Sequence, residues 1–298
     1  MNKHAYLIMA HNNWNILKLL LKSLDREEND FYIHIDSKAS SFDEMMLDGV
    51  LKKSNLNFVE RKNVKWADYS QIDVTLDLLQ SAKSNYNYSY YHLLSGVDMP
   101  IKSSQYIYNY FENSGKEFIG ISSWDNINYV SYRVKYYHFF TKLQAFRSCK
   151  FLKGIDRLMQ YLQKLFGIDR TRGSKLVFCD GWQWFSITNS FCEYVLSQKE
   201  FIKKTFYYSL ASDEIVFQTL AYNSEYKEKM AAFGDLLNGS MRYIDWKRGT
   251  PYTWGQDEKD YELLINSPYL FARKFDENVN FEIVKKIYDN ITMELNYD

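Results

Sequence analysis

The chain has 298 residues, 46% hydrophobic and 18% aromatic, with 37 basic and 37 acidic side chains for a formal net charge of zero. That length and apolar content support one large α/β domain or two small ones and exclude a disordered chain. The longest apolar stretches, such as AYLIMA (5–10), fall far short of the roughly 20 residues that span a bilayer, and the cysteines Cys149, Cys179 and Cys192 form no C-x-x-C pair, which fits a reducing compartment.

HAYLIMA (4–10) reads as a buried strand, and Trp14, Leu17, Leu20, Leu21 and Leu24 follow at helical spacing behind the capping residues Asn12 and Asn13. FYIHI (31–35) is the next strand. Ser41 to Glu44 forms a capping box that predicts a helix through Lys52, and LNFVE (56–60) is a third strand. Ile72, Leu76 and Leu79 mark one face of another helix, and SYYHLLS (89–95) is a fourth strand. A helix at 104–113 and the strand EFIGI (117–121) come next. The pattern then breaks off and re-forms at the strand GWQWFSIT (181–188) and at helical runs near 190–205, 212–223, 257–266 and 278–292. Strands separated by helices predict a mostly parallel central sheet with right-handed crossovers. With no internal repeat or low-complexity linker, residues 1–298 read as one domain.

Ligands of such sheets sit at the carboxyl ends of the strands. Here those ends carry His11, Asp36, Trp66 to Asp68, and Ser95 to Asp98. Neither a G-x-G-x-x-G fingerprint nor a P-loop is present, so side chains must hold the ligand. The five histidines lack metal-ligand spacing, and no D-x-D motif occurs, which argues against a catalytic metal. Asp98 in HLLSGVDMPIKS (92–103) stands alone where metal-dependent sugar-nucleotide enzymes carry two aspartates. No G-x-S-x-G elbow supports a serine triad.

Two constellations remain open. Asp213-Glu214 begins the apolar run SDEIVFQTLAYNS, where acids complement a helix dipole or supply a general base tuned by burial. Arg248, before a Gly-Thr-Pro turn, and Arg273-Lys274, inside SPYLFARKF (267–275), are structural cations or fixed positive charges for a departing diphosphate.

Six blocks in order, AYLIMAHNNWNILKLLLKSL…NDFYIHIDSKAS, VKWADYSQIDVTLDLL, YYHLLSGVDMPIKS, GWQWFSITNSFCEYVL, SDEIVFQTLAYNS and SPYLFARKFD, resemble the core-2/I-branching family of glycosyltransferases. That family includes β-1,6-N-acetylglucosaminyltransferases, peptide-O-xylosyltransferases and bacterial polysaccharide enzymes. The resemblance implies a GT-A-like, Rossmann-like nucleotide-sugar fold and inverting transfer from a UDP-sugar without metal or other cofactor. Carried over by position, Asp36 reads the uracil, with His11, Trp66 and Asp68 beside the nucleotide. Ser95 and Asp98 face the donor sugar, Asp98 accepting a sugar hydroxyl or fixing the Ser95-Gly96 turn. Glu214 matches the catalytic base, and Lys274 with Arg248 matches the cations on the donor diphosphate. Arg133, Lys135, Tyr136, Trp182 and Trp184 fall on the acceptor side. Residues 1–121 are then the nucleotide-binding half, 122–178 a variable acceptor or membrane segment, and 179–298 the half with the base and the diphosphate cations. The resemblance points to GlcNAc as the donor sugar. The alternatives are UDP-xylose, UDP-glucuronic acid or a hexose donor, or a non-catalytic carbohydrate-binding protein stacking sugars on Trp66, Trp182, Trp184 and Trp254.

From Ser131 to Lys175, eleven Lys/Arg face two acids, Asp156 and Asp169, so that this segment alone carries +9. No nucleic-acid recognition fold accompanies the charge. The segment is either a face balanced by acidic neighbours or a peripheral contact with an anionic membrane, where its aromatics would settle at the interface. A first strand at residue 4, with no anchor before it, implies a cytoplasmic bacterial enzyme of surface-polysaccharide synthesis. Its acceptor would be a glycan or a lipid-linked oligosaccharide at the inner face of the cell membrane.

Overall fold

A computed structural model describes residues 2–122 and 127–293. Strand β1 (His4–Ala10) is buried on both faces and central in the main sheet, as a near-continuous apolar run requires. Tyr6, Ile8 and Ala10 enter one core, while Ala5 and Leu7 enter the other, because strand side chains alternate. The chain continues through α1 (Trp14–Ser23), β2 (Asn29–Ile35), β3 (Asn55–Phe58), α2 (Ser70–Asn85) and β4 (Tyr90–Ser95). These four strands pair in parallel in the order β3-β2-β1-β4.

After β5 (Asp98–Pro100), α3 (Ser104–Glu112), β6 (Phe118–Ile121), α4 (Ile127–Lys135) and α5 (Lys150–Leu165) comes β7 (Gly181–Thr188). Strand β7 lies antiparallel between β4 and β6 and completes the six-stranded sheet. The remainder comprises α6 (Asn189–Ser197), α7 (Lys199–Phe206), α8 (Val216–Tyr222), α9 (Leu236–Ser240), β8 (Arg242–Ile244), α10 (Asp260–Ile265), β9 (Phe271–Arg273) and α11 (Glu277–Met293). A mixed α/β architecture, with a central sheet flanked by helices, is therefore what the strand and helix spacing predicts. Among the described residues no helix is long and apolar enough to cross a membrane.

Four features depart from the sequence expectations. The helix expected from Ser41 to Lys52 is only a 3-10 turn, Glu44–Leu47, capped by the Asp43 carboxylate on the Met45 amide. Its apolar residues Phe42, Leu47 and Val50 enter the core at irregular spacing, and Gly49 adopts φ +67°. The run 190–205 splits at Gln198 into α6 and α7, and 212–223 opens with a 3-10 turn, Ser212–Glu214. A second sheet, in the order β5-β9-β8, has no counterpart in the sequence pattern. Finally, the Asn13 side chain makes no cap bond to α1.

Helix α1 is capped from the far end of the chain. Glu277 Oε1 accepts the amides of Asn15 (2.7 Å) and Ile16 (3.0 Å), while Asn13 Oδ1 accepts the Glu277 amide (2.9 Å). Each element thus satisfies donors that the other's first turn leaves unpaired. Arg242 is a second long-range tie. From β8 its buried guanidinium donates to the carbonyls of Ser240 and Phe185 and to Ser186 Oγ (3.0 Å). It bolts the small sheet to β7 of the main one, and burial lowers its pKa to about 9.

Glu277→Ala should lower unfolding free energy by about 1 kcal/mol, as for other lost N-caps. Urea denaturation reads this as a lower midpoint at unchanged slope, and an unchanged midpoint would show that the cap contributes nothing.

Candidate active site

The chain runs from β1 outward to β2 and β3 and then returns to β4 on the other side, so the order reverses between β1 and β4. An open cleft of about 550 Å³ lies at that reversal, at the carboxyl ends of the strands. His11, Asp36, Trp66, Ser95 and Trp184, all singled out from the sequence, line it together. Gly96 lets the β4 end close on β1, since a Cβ there would stand 2.7 Å from that of Ala10.

The cleft is cationic although the chain is neutral. Lys38, Lys65, Arg147 and Arg273 line it against the single carboxylate of Asp36. Asp36 accepts the Lys38 amide (2.9 Å) and pairs with Lys38 Nζ (3.2 Å), which also bonds Asn63 Oδ1 and ties the loop after β2 to that after β3. Burial lowers the pKa of His11, and that of His34 to about 4. Both rings are therefore neutral at physiological pH, and His34 Nε2 accepts the Lys62 amide.

Asp98 does not face the cleft. It is buried behind Ser95, where Oδ2 accepts the Ser95 amide (2.9 Å) and Oδ1 accepts Ser95 Oγ (2.6 Å) and Arg273 Nη1 (2.7 Å). Of the two roles expected for it, these contacts are those of the turn-fixing one. The cation it holds, Arg273, lies over the Trp184 ring at 4.3 Å and lines the cleft.

Glu214 sits in the turn before α8 and is not among the residues lining the cleft, although its turn is tied to the segment that carries the cleft-lining Trp66. The Ala211 amide donates to the Ala67 carbonyl, next to Trp66. Its half-exposed carboxylate accepts Arg133 Nη2 at 2.9 Å through Oε2. Arg133 also donates to the carbonyls of Leu210 (3.1 Å) and Ala211 (2.6 Å) and is itself buried. It orients Glu214 from the interior. Neighbouring Asp213 is buried, and burial, reinforced by the Glu214 charge, raises its pKa to about 7. Asp213 thus spends much of its time neutral, which leaves the Arg133 charge to Glu214.

Other residues singled out from the sequence lie elsewhere. Arg248 pairs with Asp245 and Asp260 and stacks on Tyr252, outside the residues lining the cleft. Lys274 is half-buried beside Arg273, its carbonyl accepting the Trp254 amide. Lys135 pairs with Asp169, the Tyr136 carbonyl accepts Arg170, and the Trp182 carbonyl accepts Gln218. Asp68 accepts the Ser70 amide at the start of α2. Trp254 is fully buried, so it can stack on no sugar. Lys38, Lys65, Arg147 and Gln183 were missed, because nothing local in the sequence places them at one strand edge. In the sequence Arg273 stands out only as half of an Arg-Lys pair. Among the described residues no three His, Cys, Asp or Glu side chains gather closely enough to hold a metal ion.

The family model for Core-2/I-Branching enzyme matches residues 4–265. Xylosyltransferase 2 of Rattus norvegicus is 23% identical over 312 residues, covering 94% of this chain and 33% of that protein. Xylosyltransferase sqv-6 of Caenorhabditis elegans is 22% identical over 298 residues, covering 90% and 34%. The chain thus spans about a third of the length of the curated relatives it matches. Among solved structures, mouse Xyloside xylosyltransferase 1 in its apo form aligns with TM-score 0.43 and 11% identity, over 94% of this chain and 99% of that one.

A carboxyl whose pKa is raised on folding contributes stability that is present below its unfolded pKa and lost as pH rises through the folded one. Asp213 should therefore cost stability between about pH 4 and about 7. Asp213→Asn should remove part of that loss, so that the variant gains on the parent at the alkaline end of the window. Urea midpoints at both ends would test this, and an identical pH dependence in the two proteins would exclude it.

Proposed function

The chain belongs to the Core-2/I-Branching enzyme family, and from that premise we propose that it is an inverting glycosyltransferase that moves a sugar from a UDP-sugar to a glycan hydroxyl. The observation that carries this reading is the carboxylate of Glu214, held by buried Arg133 in a turn whose Ala211 amide bonds Ala67, next to Trp66 of a cleft lined by four cations. Glu214 Oε1, which has no partner among the described residues, takes the proton of the acceptor hydroxyl. The oxygen attacks the anomeric carbon as the bond to the UDP oxygen breaks on the opposite side, and one base carboxylate suffices for this single displacement. Asp36 accepts from the uracil edge, with His11 and Trp66 beside it.

Arg273 receives the negative charge that develops on the leaving diphosphate. Its Nη1 is fixed by Asp98, while Nε and Nη2 have no partner among the described residues. Lys274 stands next to it, and Arg147 and Lys65 line the same cleft. Preorganised cations of this kind can stabilise the departing charge without a bound metal, so turnover in excess chelator is expected to match turnover without it. Strict dependence on added Mn²⁺ would refute that part of the proposal.

The resemblance points to UDP-GlcNAc as donor, with a lipid-linked oligosaccharide or other glycan of bacterial surface-polysaccharide synthesis as acceptor. The names of the curated relatives favour UDP-xylose as a second reading. Turnover assays run with both donors separate the two.

Two variants divide the site. Glu214→Gln should abolish transfer, at least a hundredfold for loss of a general base, and keep UDP affinity by calorimetry. Arg273→Gln should weaken UDP binding about tenfold or more, as for loss of a charge-assisted contact. Retained turnover in the first variant, or unchanged UDP affinity in the second, would overturn the assignment concerned.

A further inference from the structure

Helix α5 is amphipathic in the reverse of the usual sense. Its buried residues are polar: Asp156 pairs with His138 Nδ1 at 2.9 Å, and Gln163 exchanges hydrogen bonds with the Tyr137 amide (2.8 Å) and carbonyl (3.0 Å). Its outward face is apolar. Phe151 is 74% exposed, Leu158 56%, Tyr161 58% and Leu165 62%, and Phe166 just past its end is 79% exposed. Phe151, Leu158 and Leu165 recur every seven residues and so form one stripe along the helix. Lys150, Arg157 and Lys164 recur at the same interval along the edge of that stripe. None of the three has an ion-pair partner among the described residues. A helix facing water would do the opposite, and soluble domains seldom leave such a contiguous apolar face uncovered.

The charge selects what covers it. Asp156, the one acid of α5, points inward, so the outward face carries only positive charge. A second copy seated across a two-fold axis would bring this basic row close to its own image. A bilayer with anionic headgroups satisfies both halves of the face: the apolar stripe enters the headgroup boundary, and the basic edge meets the phosphates. The helix also adjoins the cleft. Arg147 and Ser148, just before it, line the cleft, and Lys153 Nζ lies 5.4 Å from the centroid of the cleft-lining Trp66 ring.

We propose that α5 is an in-plane membrane helix that docks the protein on an anionic lipid surface with the cleft mouth beside that surface. The expectation of membrane contact across 131–175 narrows accordingly. Arg133 is buried on Glu214, and Arg170 donates to the carbonyls of Val134 and Thr205. The lipid-facing residues are Phe151, Leu158, Tyr161, Leu165 and Phe166, with the basic row beside them.

Co-sedimentation at low salt with vesicles of phosphatidylcholine alone, or of phosphatidylcholine mixed with phosphatidylglycerol, tests the proposal without nucleotide or sugar. Its failure would therefore leave the transferase reading standing. The protein should pellet with the mixed vesicles only. Arg157→Ser and Lys164→Ser should each lower partitioning about fivefold, and Phe151→Ser combined with Phe166→Ser should abolish it. All of these positions are exposed, and circular dichroism would confirm that the fold is kept. A protein that stays in the supernatant, or variants that bind like the parent, would overturn the proposal. So would a solution dimer by sedimentation velocity that the Phe151→Ser, Phe166→Ser variant dissociates.

Discussion

Asp98 touches both sheets, and the cleft is organised around it. Its carboxylate is buried, a position that is costly unless every lone pair is used. Ser95 at the end of β4 supplies an amide and a hydroxyl, and Arg273 on β9 supplies a guanidinium nitrogen. The small sheet makes this geometry possible, since β5 and β9 pair with Asp98 opposite Arg273. Loss of Arg273 would leave the buried Asp98 charge without its cation, a change worth about 3–5 kcal/mol in comparable pairs. The contact fixes the turn after β4 and also presents Arg273, stacked on Trp184, to the cleft. Stability and the site's positive charge therefore rest on the same few atoms.

The adjacent acids of the Ser212–Glu214 turn show how position divides two like side chains. Asp213 points into the interior, where burial favours its neutral form. Glu214 points outward and takes the guanidinium of Arg133. Were both ionised in the interior, their repulsion would compete with the pairing that orients Glu214. The left-handed backbone of Ala211 (φ 48°), which precedes the turn, helps to set this division.

The main sheet was largely legible in the sequence because its strands are long enough to show a pattern. HAYLIMA and GWQWFSIT match β1 and β7 at both ends, and the polar residues just beyond β1 and β2 and at the end of β4 do mark one edge, where His11, Asp36 and Ser95 meet. The second sheet was not legible, since strands of three residues have no periodicity, and β5 pairs with β9 across some 170 positions of sequence. The capping of α1 by Glu277 was hidden for the same reason. Local propensity gave Asn13 that role, and a tertiary contact took it over. Arg133 looked like an exposed cation of a basic stretch, because charge counts do not say which member of a run turns inward. Reading Arg273-Lys274 as a unit concealed that the two occupy different surroundings.

The pairing of Arg133 with Glu214 joins parts of the chain that otherwise look separable. Helix α4 lies in the basic middle stretch, yet it carries the guanidinium that aims the carboxylate before α8. Grafting that stretch from a relative would remove the guanidinium that fixes the Glu214 carboxylate. The middle of this protein is therefore no interchangeable cassette, and any chimera must carry this arginine, with its two carbonyl contacts, across the junction.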